Sequence, residues 1–246
     1  DAFDQYDSSV MSRLDEQSCR NADAVIASSS DLYDLCSRRA KETFLVRHGV
    51  DFEAFARPLK CNVPRPADLP EGKTVGFFGL LSGWIDQDLL VYAAAKMPEV
   101  SFVLFGAADV DVGRFMKTDN IHVRGPRDFL SLPSCAAHFD AGIIPFLVND
   151  LTKAVNPVKL REMVAAGCPV VSTDLPEVRS AIEECLARGA PDKGVVIAGD
   201  SEEFVEALRA VVDKPLDGEE RRRLSESVRE EAWAERVRDI VSIVGG

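Results

Sequence analysis

The sequence predicts an α/β protein built on a Rossmann-like, doubly wound parallel sheet, and three observations carry that expectation. Short runs that are apolar on both faces recur between residues 74 and 199, amphipathic segments separate them, and glycines stand where several runs end. Strands apolar on both faces need cover on both sides, the condition of a parallel sheet between two helix layers. The strand runs are TVGFFG (74–79), SFVLFG (101–106), IHVRG (121–125), AGIIPF (141–146), PVVST (169–173) and GVVIAG (194–199). Helical patterns fill 86–97, 127–137, 156–167 and 201–212, and residues 219–244 read as a last helix with an apolar stripe around Trp233. Such sheets bind ligands beyond the carboxyl ends of their strands, so Gly79, Gly106, Arg124, Gly125, Pro145 and Thr173 mark the expected binding edge.

The chain before residue 74 reads differently. A polar helix over 9–22 precedes the apolar run AVIAS (24–28), a helix over 31–41 and a second short strand at 44–46, and HGVD (48–51) reads as a turn. Residues 57–72 contain four prolines and no periodicity, which predicts a linker or domain boundary there.

The densest set of signals lies in NPVKLREMVAAGCPVVSTDLPEV (156–178). Asn156 is of N-cap type, Pro157 suits a first helical position that needs no N–H, and Gly167 marks the stop. Leu160, Met163, Val164 and Gly167 share one buried face, while Lys159 and Glu162, three apart, share a neighbouring one. Lys159 is the anomaly, because a cation in the first turn opposes the helix dipole by about 0.3–1 kcal/mol. A phosphate at that end would turn the conflict into a binding site.

Composition excludes several function classes. A net charge of −12 argues against a nucleic-acid partner, whose phosphates call for a basic surface. No apolar run reaches the roughly 18 residues of a membrane span, and the first residues carry no signal-peptide pattern. The six cysteines have no metal or redox spacing and read as free thiols of a reducing cytosol, and the three histidines form no ligand motif. The expectation is a cytoplasmic protein without a metal.

Four stretches resemble one family. NADAVIASSSDLYD with HGVDFEAF, VGFFGLLSGWIDQDLL with SFVLFG, the 156–178 stretch, and EEAWAERV resemble the carboxyl-terminal half of GT-B-fold glycosyltransferases of the group 1 type. The resemblance implies transfer of a sugar from a nucleotide-sugar to an acceptor. It implies that residues 1–58 are a remnant of the amino-terminal, acceptor-side domain and interdomain turn, and that 59–246 form the donor-binding domain with a terminal crossing helix. Most of the acceptor-side domain, and with it any catalytic base, is then expected outside these 246 residues. The pattern is similar to that of enzymes building bacterial surface polysaccharides, including glucuronosyltransferases of the xanthan type. It implies a UDP-sugar donor, a saccharide or lipid-linked acceptor reached through the missing domain, no cofactor, and a place in the cytoplasm or at the inner membrane face of a longer protein. Two departures stand out. Glu162 matches the second of two glutamates common in retaining members, but Ala154 stands at the first, and Leu80, Leu81 and Ser82 replace an Arg and Lys pattern after the first donor-domain strand. Both retention and inversion of configuration stay open on this pattern.

The resemblance assigns donor binding to Lys159 at the diphosphate, to Glu162 at the ribose, and to Asn156, Pro157, Val158, Gly79, Leu80, Arg124 and Gly125 around them. On periodicity alone, Lys159 and Glu162 read as an exposed ion pair. Trp84 reads as a packing residue or a shield over the site. Asp109 and Asp111 resemble a metal-binding DxD, which their position after an apparent Rossmann strand argues against. A nucleotide-sugar epimerase and a non-catalytic nucleotide-binding module are the alternatives, the second favoured by Ala154.

Overall fold

Residues 74–198 supply six strands that pair only in parallel, and a smaller two-stranded unit precedes them. The structure is a computed structural model that describes residues 8–61 and 63–245. Residues 1–7, 62 and 246 lie outside the described residues; they hold the start of the expected amino-terminal remnant, one position of the proline-rich stretch and the chain end. The small unit is helix α1 (Ser8–Asn21), strand β1 (Val25–Ala27), helix α2 (Ser30–Ser37) and strand β2 (Thr43–Leu45), with β1 and β2 parallel. Helix α3 (Phe52–Lys60) follows. The large unit runs β3 (Thr74–Phe78), α4 (Gln87–Lys96), β4 (Ser101–Phe105), α5 (Gly113–Met116), β5 (Ile121–Gly125), α6 (Leu132–Ala137) and β6 (Ala141–Ile144). It continues with α7 (Asp150–Lys153), α8 (Val158–Ala165), β7 (Val170–Thr173), α9 (Pro176–Ala187), β8 (Val195–Ala198), α10 (Ser201–Asp213), α11 (Gly218–Glu226) and α12 (Trp233–Val244).

The sheet order is β5-β4-β3-β6-β7-β8. The chain winds outward from β3 through β4 to β5, then restarts at β6 on the other side of β3. The winding direction therefore reverses between β3 and β6, and a crevice opens at the carboxyl ends of those two strands. Every residue of β3, β6 and β7 is buried, as expected for strands covered on both faces. Phe77, Phe102, Val103, Ile143 and Val171 are at most 1% exposed and belong to one continuous core.

Two glycines permit close approaches. A Cβ on Gly76 would lie 2.1 Å from the Phe139 ring, and one on Gly106 would lie 1.7 Å from the Gly79 carbonyl oxygen. The second contact lets β3 and β4 end side by side on the binding edge.

Two expectations need correction. The proline-rich stretch begins inside α3, which continues to Lys60 with Pro58 in its interior. Asp51 caps that helix by accepting from the Ala54 N–H at 3.2 Å, and Phe55 stacks on Phe78 with ring centroids 6.2 Å apart. Packing against α6 and α8 thus outweighs the hydrogen bond that Pro58 cannot donate. The helix expected over 219–244 is broken into α11, a 3-10 turn (Arg229–Glu231) and α12. The break lets residues 231–233 pair with the chain near Val50: the Val50 N–H donates to the Glu231 carbonyl at 3.0 Å, and the Trp233 N–H donates to the Val50 carbonyl at 3.1 Å. The chain's last segment is thereby tied to the turn that follows the small unit.

Candidate active site

A cavity of about 320 Å³ occupies the crevice where the winding reverses. Phe77, Gly79 and Leu80 line it from the end of β3, Phe146 from the end of β6, and Leu151, Thr152 and Val155 from α7 and the chain after it. Asn156, Pro157, Val158 and Lys159 close it with the first turn of α8, and Trp84 covers one side. The walls are mainly apolar, so the few polar groups define what the cavity can hold.

The first of these groups is the amino terminus of α8. Pro157 stands at the N-cap position and makes no side-chain cap bond. Helix geometry leaves the leading N–H groups of Val158 and Lys159 without intrahelical partners. The second is the Lys159 ammonium, which lies 5.4 Å above the Phe78 ring and 2.9 Å from Glu162 Oε2. Its Cε is 3.8 Å from where a Cβ on Gly79 would sit, so the side chain lies along the end of β3. Lys159 keeps 31% of its side chain exposed and Glu162 only 6%. Burial pushes the Glu162 carboxyl above its ordinary range, and the charge and hydrogen bond of Lys159 offset part of that rise. The pair is therefore neither an exposed surface contact nor a closed one. An incoming anion can take the ammonium from its solvent side.

Asn156 does not cap α8, contrary to its residue type. Its Nδ2 donates to Glu177 Oε2 at 2.5 Å, and its Oδ1 accepts from Arg161 Nη1 at 2.8 Å. Arg161, Glu177 and Glu231 are each 1% exposed, and Arg161 Nε donates to Glu231, which also accepts from Arg188 Nη1 at 2.9 Å. Glu177 further accepts from the Ser30 N–H and from Arg47 Nε, each at 2.7 Å. Burial pushes the Glu177 carboxyl up, but the bonds from Arg47, the Ser30 N–H and Asn156 outweigh it and hold the group below its ordinary range. This buried network joins the small unit, α8, α9 and the chain before α12.

Six of the nine expected donor-binding residues line the cavity: Gly79, Leu80, Asn156, Pro157, Val158 and Lys159. Glu162 sits behind Lys159. Arg124 and Gly125 end β5, two strands from β3, where Gly125 accepts from the Gly106 N–H at 2.8 Å and Arg124 is exposed. Asp109 and Asp111 turn to separate partners, Asp109 to the Ser82 hydroxyl at 2.9 Å and Asp111 to the Gly113 N–H at 2.8 Å. Among the described residues, no group of three or more His, Cys, Asp or Glu side chains is arranged to hold a metal.

Sequence reasoning missed the apolar wall of Phe77, Phe146, Leu151 and Val155, and the network around Glu177. The wall carries no motif, since such residues read as core wherever they occur. One signal was available for α7: Asn149 and Thr152 form a reciprocal capping box, with bonds of 3.0 Å in each direction.

A family model described as glycosyl transferases group 1 matches residues 72–214. A relative in Bacillus subtilis (strain 168) is TuaH, assigned by name to teichuronic acid biosynthesis as a glycosyltransferase. It is 28% identical over 165 residues, which are 64% of this chain and 42% of TuaH, so the chain spans less than half of that relative's length. Anabaena HepE, solved in complex with UDP-glucose, superposes with a TM-score of 0.69 at 17% identity over 100% of this chain and 70% of its own. Staphylococcus aureus TarM, solved with UDP and α-GlcNAc-glycerol, gives 0.69 at 13% identity over 99% and 49%. Sucrose-phosphate synthase from Thermosynechococcus elongatus gives 0.66 at 18% identity over 99% and 63%. At these identities the structural likeness establishes the fold, a Rossmann-like domain of the GT-B kind.

Proposed function

Because the chain belongs to the group 1 glycosyl transferases, we propose that it is the donor-holding part of such an enzyme and binds a nucleotide-diphosphate sugar, with UDP-sugar the favoured donor. The observation that carries this reading is the position of Lys159, in the first turn of α8 and beside Gly79 at the reversal of strand order. A cation placed against the positive end of a helix is disfavoured unless an anion joins it. A diphosphate would supply that anion, bridging the ammonium and the N–H groups of Val158 and Lys159. The complexes of HepE with UDP-glucose and of TarM with UDP support the choice of nucleotide.

In this reading the acceptor's hydroxyl oxygen bonds to the anomeric carbon and gives its proton to a base of the acceptor-side domain, the bond between that carbon and the β-phosphate oxygen breaks, and negative charge gathers on the departing diphosphate. Lys159 and the α8 terminus meet that charge from fixed positions, so little reorganisation is needed as it develops. Residues 59–246 would hold the donor, residues 1–58 would belong to the acceptor-side domain, and the rest of that domain would bring a saccharide or lipid-linked acceptor and any base. The reaction would run on the cytoplasmic side without a bound metal. A non-catalytic binding module is the second reading, favoured by Ala154 at the end of α7, where a glutamate would otherwise stand.

Titration calorimetry with UDP tests the proposal. Lys159→Ala should weaken binding about tenfold or more, the worth of one charge-assisted contact. Unchanged affinity in a folded variant would remove Lys159 from the site, and no heat from the unaltered protein would count against a UDP donor. Full-length protein that binds UDP-sugar yet transfers no sugar to any acceptor would favour the non-catalytic module.

A further inference from the structure

We infer that Glu177 is a positioning residue that keeps the amino terminus of α8 open by holding Asn156 away from it. The consequence for donor binding rests on the function proposed above; the conformational claim does not.

An Asn one residue before a helix N-cap has two competing uses for its amide. It can bond its own backbone two residues on, here the Val158 N–H, in an Asx turn. It can instead bond elsewhere and leave that N–H exposed. The second arrangement is the observed one, because the two ends of the Asn156 amide lie between opposite charges. Nδ2 donates to Glu177 at 2.5 Å, and Oδ1 accepts from Arg161 at 2.8 Å. Rotating the amide would place its NH₂ against the guanidinium and its oxygen against the carboxylate, both repulsive.

Glu177 is itself held from outside α8. The Ser30 N–H at the start of α2 and the Arg47 guanidinium after β2 each donate to it at 2.7 Å. Arg47 Nη2 also donates to the Ser30 hydroxyl at 3.0 Å. The anchor of Asn156 therefore belongs to the contact between the small unit and α9. Stability alone does not call for this design. A direct Glu177–Arg161 pair would neutralise both charges, and apolar replacements of buried ion networks are often as stable. Inserting an amide between the two ions holds the chain at Val155 to Pro157, which lines the cavity. It leaves the Val158 N–H to a ligand.

The test is the release of Asn156. In Glu177→Ala, Nδ2 loses its acceptor and the amide is pinned only at Oδ1 by Arg161, so it should pivot until Oδ1 accepts from the Val158 N–H as well as or instead of Arg161, and compete with an anion there. UDP affinity should fall about fivefold or more, and hydrogen exchange at the Val158 amide, read by NMR without ligand, should slow about tenfold. Adding Asn156→Ala to Glu177→Ala removes the competing amide and should return the exchange rate at the Val158 amide to the unaltered value. A merely structural role for Glu177 predicts the reverse, with the double variant no better than the single. Unchanged Val158 exchange in Glu177→Ala, or no recovery of that rate in the double variant, would overturn the inference. If the unaltered protein does not bind UDP, the donor reading fails, while the exchange experiment still decides the position of Asn156. Glu177→Met, which keeps the side-chain length and removes both acceptor oxygens, goes through the same measurements should Glu177→Ala not fold.

Discussion

Glu162 and Glu177 are both buried carboxylates on neighbouring helices, and their surroundings shift them in opposite directions. Glu162 has one cation near it, and burial wins, so its folded pKa lies above the ordinary 4.5. As pH rises from about that value through the folded pKa, the unfolded chain gives up this proton first, and Glu162 takes stability away. Glu177 accepts from Arg47, Ser30 and Asn156, so its folded pKa lies below 4.5. It adds stability that is present above the unfolded value and lost as pH falls through the folded one. Urea denaturation of the two glutamine variants across the acid range should show opposite trends. The deficit of Glu177→Gln relative to the unaltered protein should shrink as pH falls below about 4.5. Glu162→Gln should compare with the unaltered protein more favourably at pH 7 than at pH 4. Parallel trends would mean that the two environments have been misread. Only one of these residues was legible in the sequence. Glu162 is three positions from a conspicuous lysine, whereas Glu177 is bound by residues 147, 130 and 21 positions away.

At the scale of elements, the strands were legible and the helix ends less so. A strand apolar on both faces has few other environments, and β3, β4, β6, β7 and β8 all fall within the runs expected for them. Helix α3 was obscured by Pro58, whose local penalty is offset by the burial of Phe52, Phe55 and Ala56. Helix α8 starts at Val158 rather than Pro157, because Asn156 is drawn into long-range bonds that local propensity does not register. The glycines ending β3 and β4 were visible as letters, but the reason for one of them is tertiary: a Cβ on Gly106 would lie 1.7 Å from the Gly79 carbonyl oxygen. That neighbour is backbone and cannot rotate away. Gly106→Ala should therefore cost more than about 2 kcal/mol in chemical denaturation, as overpacking against rigid structure does. It should also weaken UDP binding, since Gly79 lines the cavity. A neutral outcome would show that the two strand ends can separate without loss.

For the whole molecule, composition set limits that geometry then filled in. The net charge of −12 excluded a broad basic surface but concealed that Arg47, Arg161 and Arg188 converge on a buried network joining the small unit to the large one. That network, the pairing of Val50 with residues 231–233 and the packing of α3 raise the question of whether the two units open together. Thiol labelling decides it. All six cysteines are free, and only Cys61, just after α3, is exposed. Cys135, Cys168 and Cys185 lie inside the large unit, while Cys19 and Cys36 face each other in the small one with sulfurs 3.8 Å apart. Burial pushes the Cys168 thiol up to about 12, and burial together with the Cys19 contact pushes Cys36 up to about 11. The thiolate is the reactive form, so these sulfurs are protected by chemistry as well as by access. A chromogenic disulfide reagent at pH 8 should label one thiol quickly, and Cys61→Ser should abolish that phase. The remaining five should react only through opening of the fold. If the units open as one, all five should share a single rate that rises with denaturant in step with global unfolding. If the small unit opens alone, two thiols should react ahead of three, and Cys19→Ser with Cys36→Ser should remove that intermediate phase. The buried ties between the units predict the single rate.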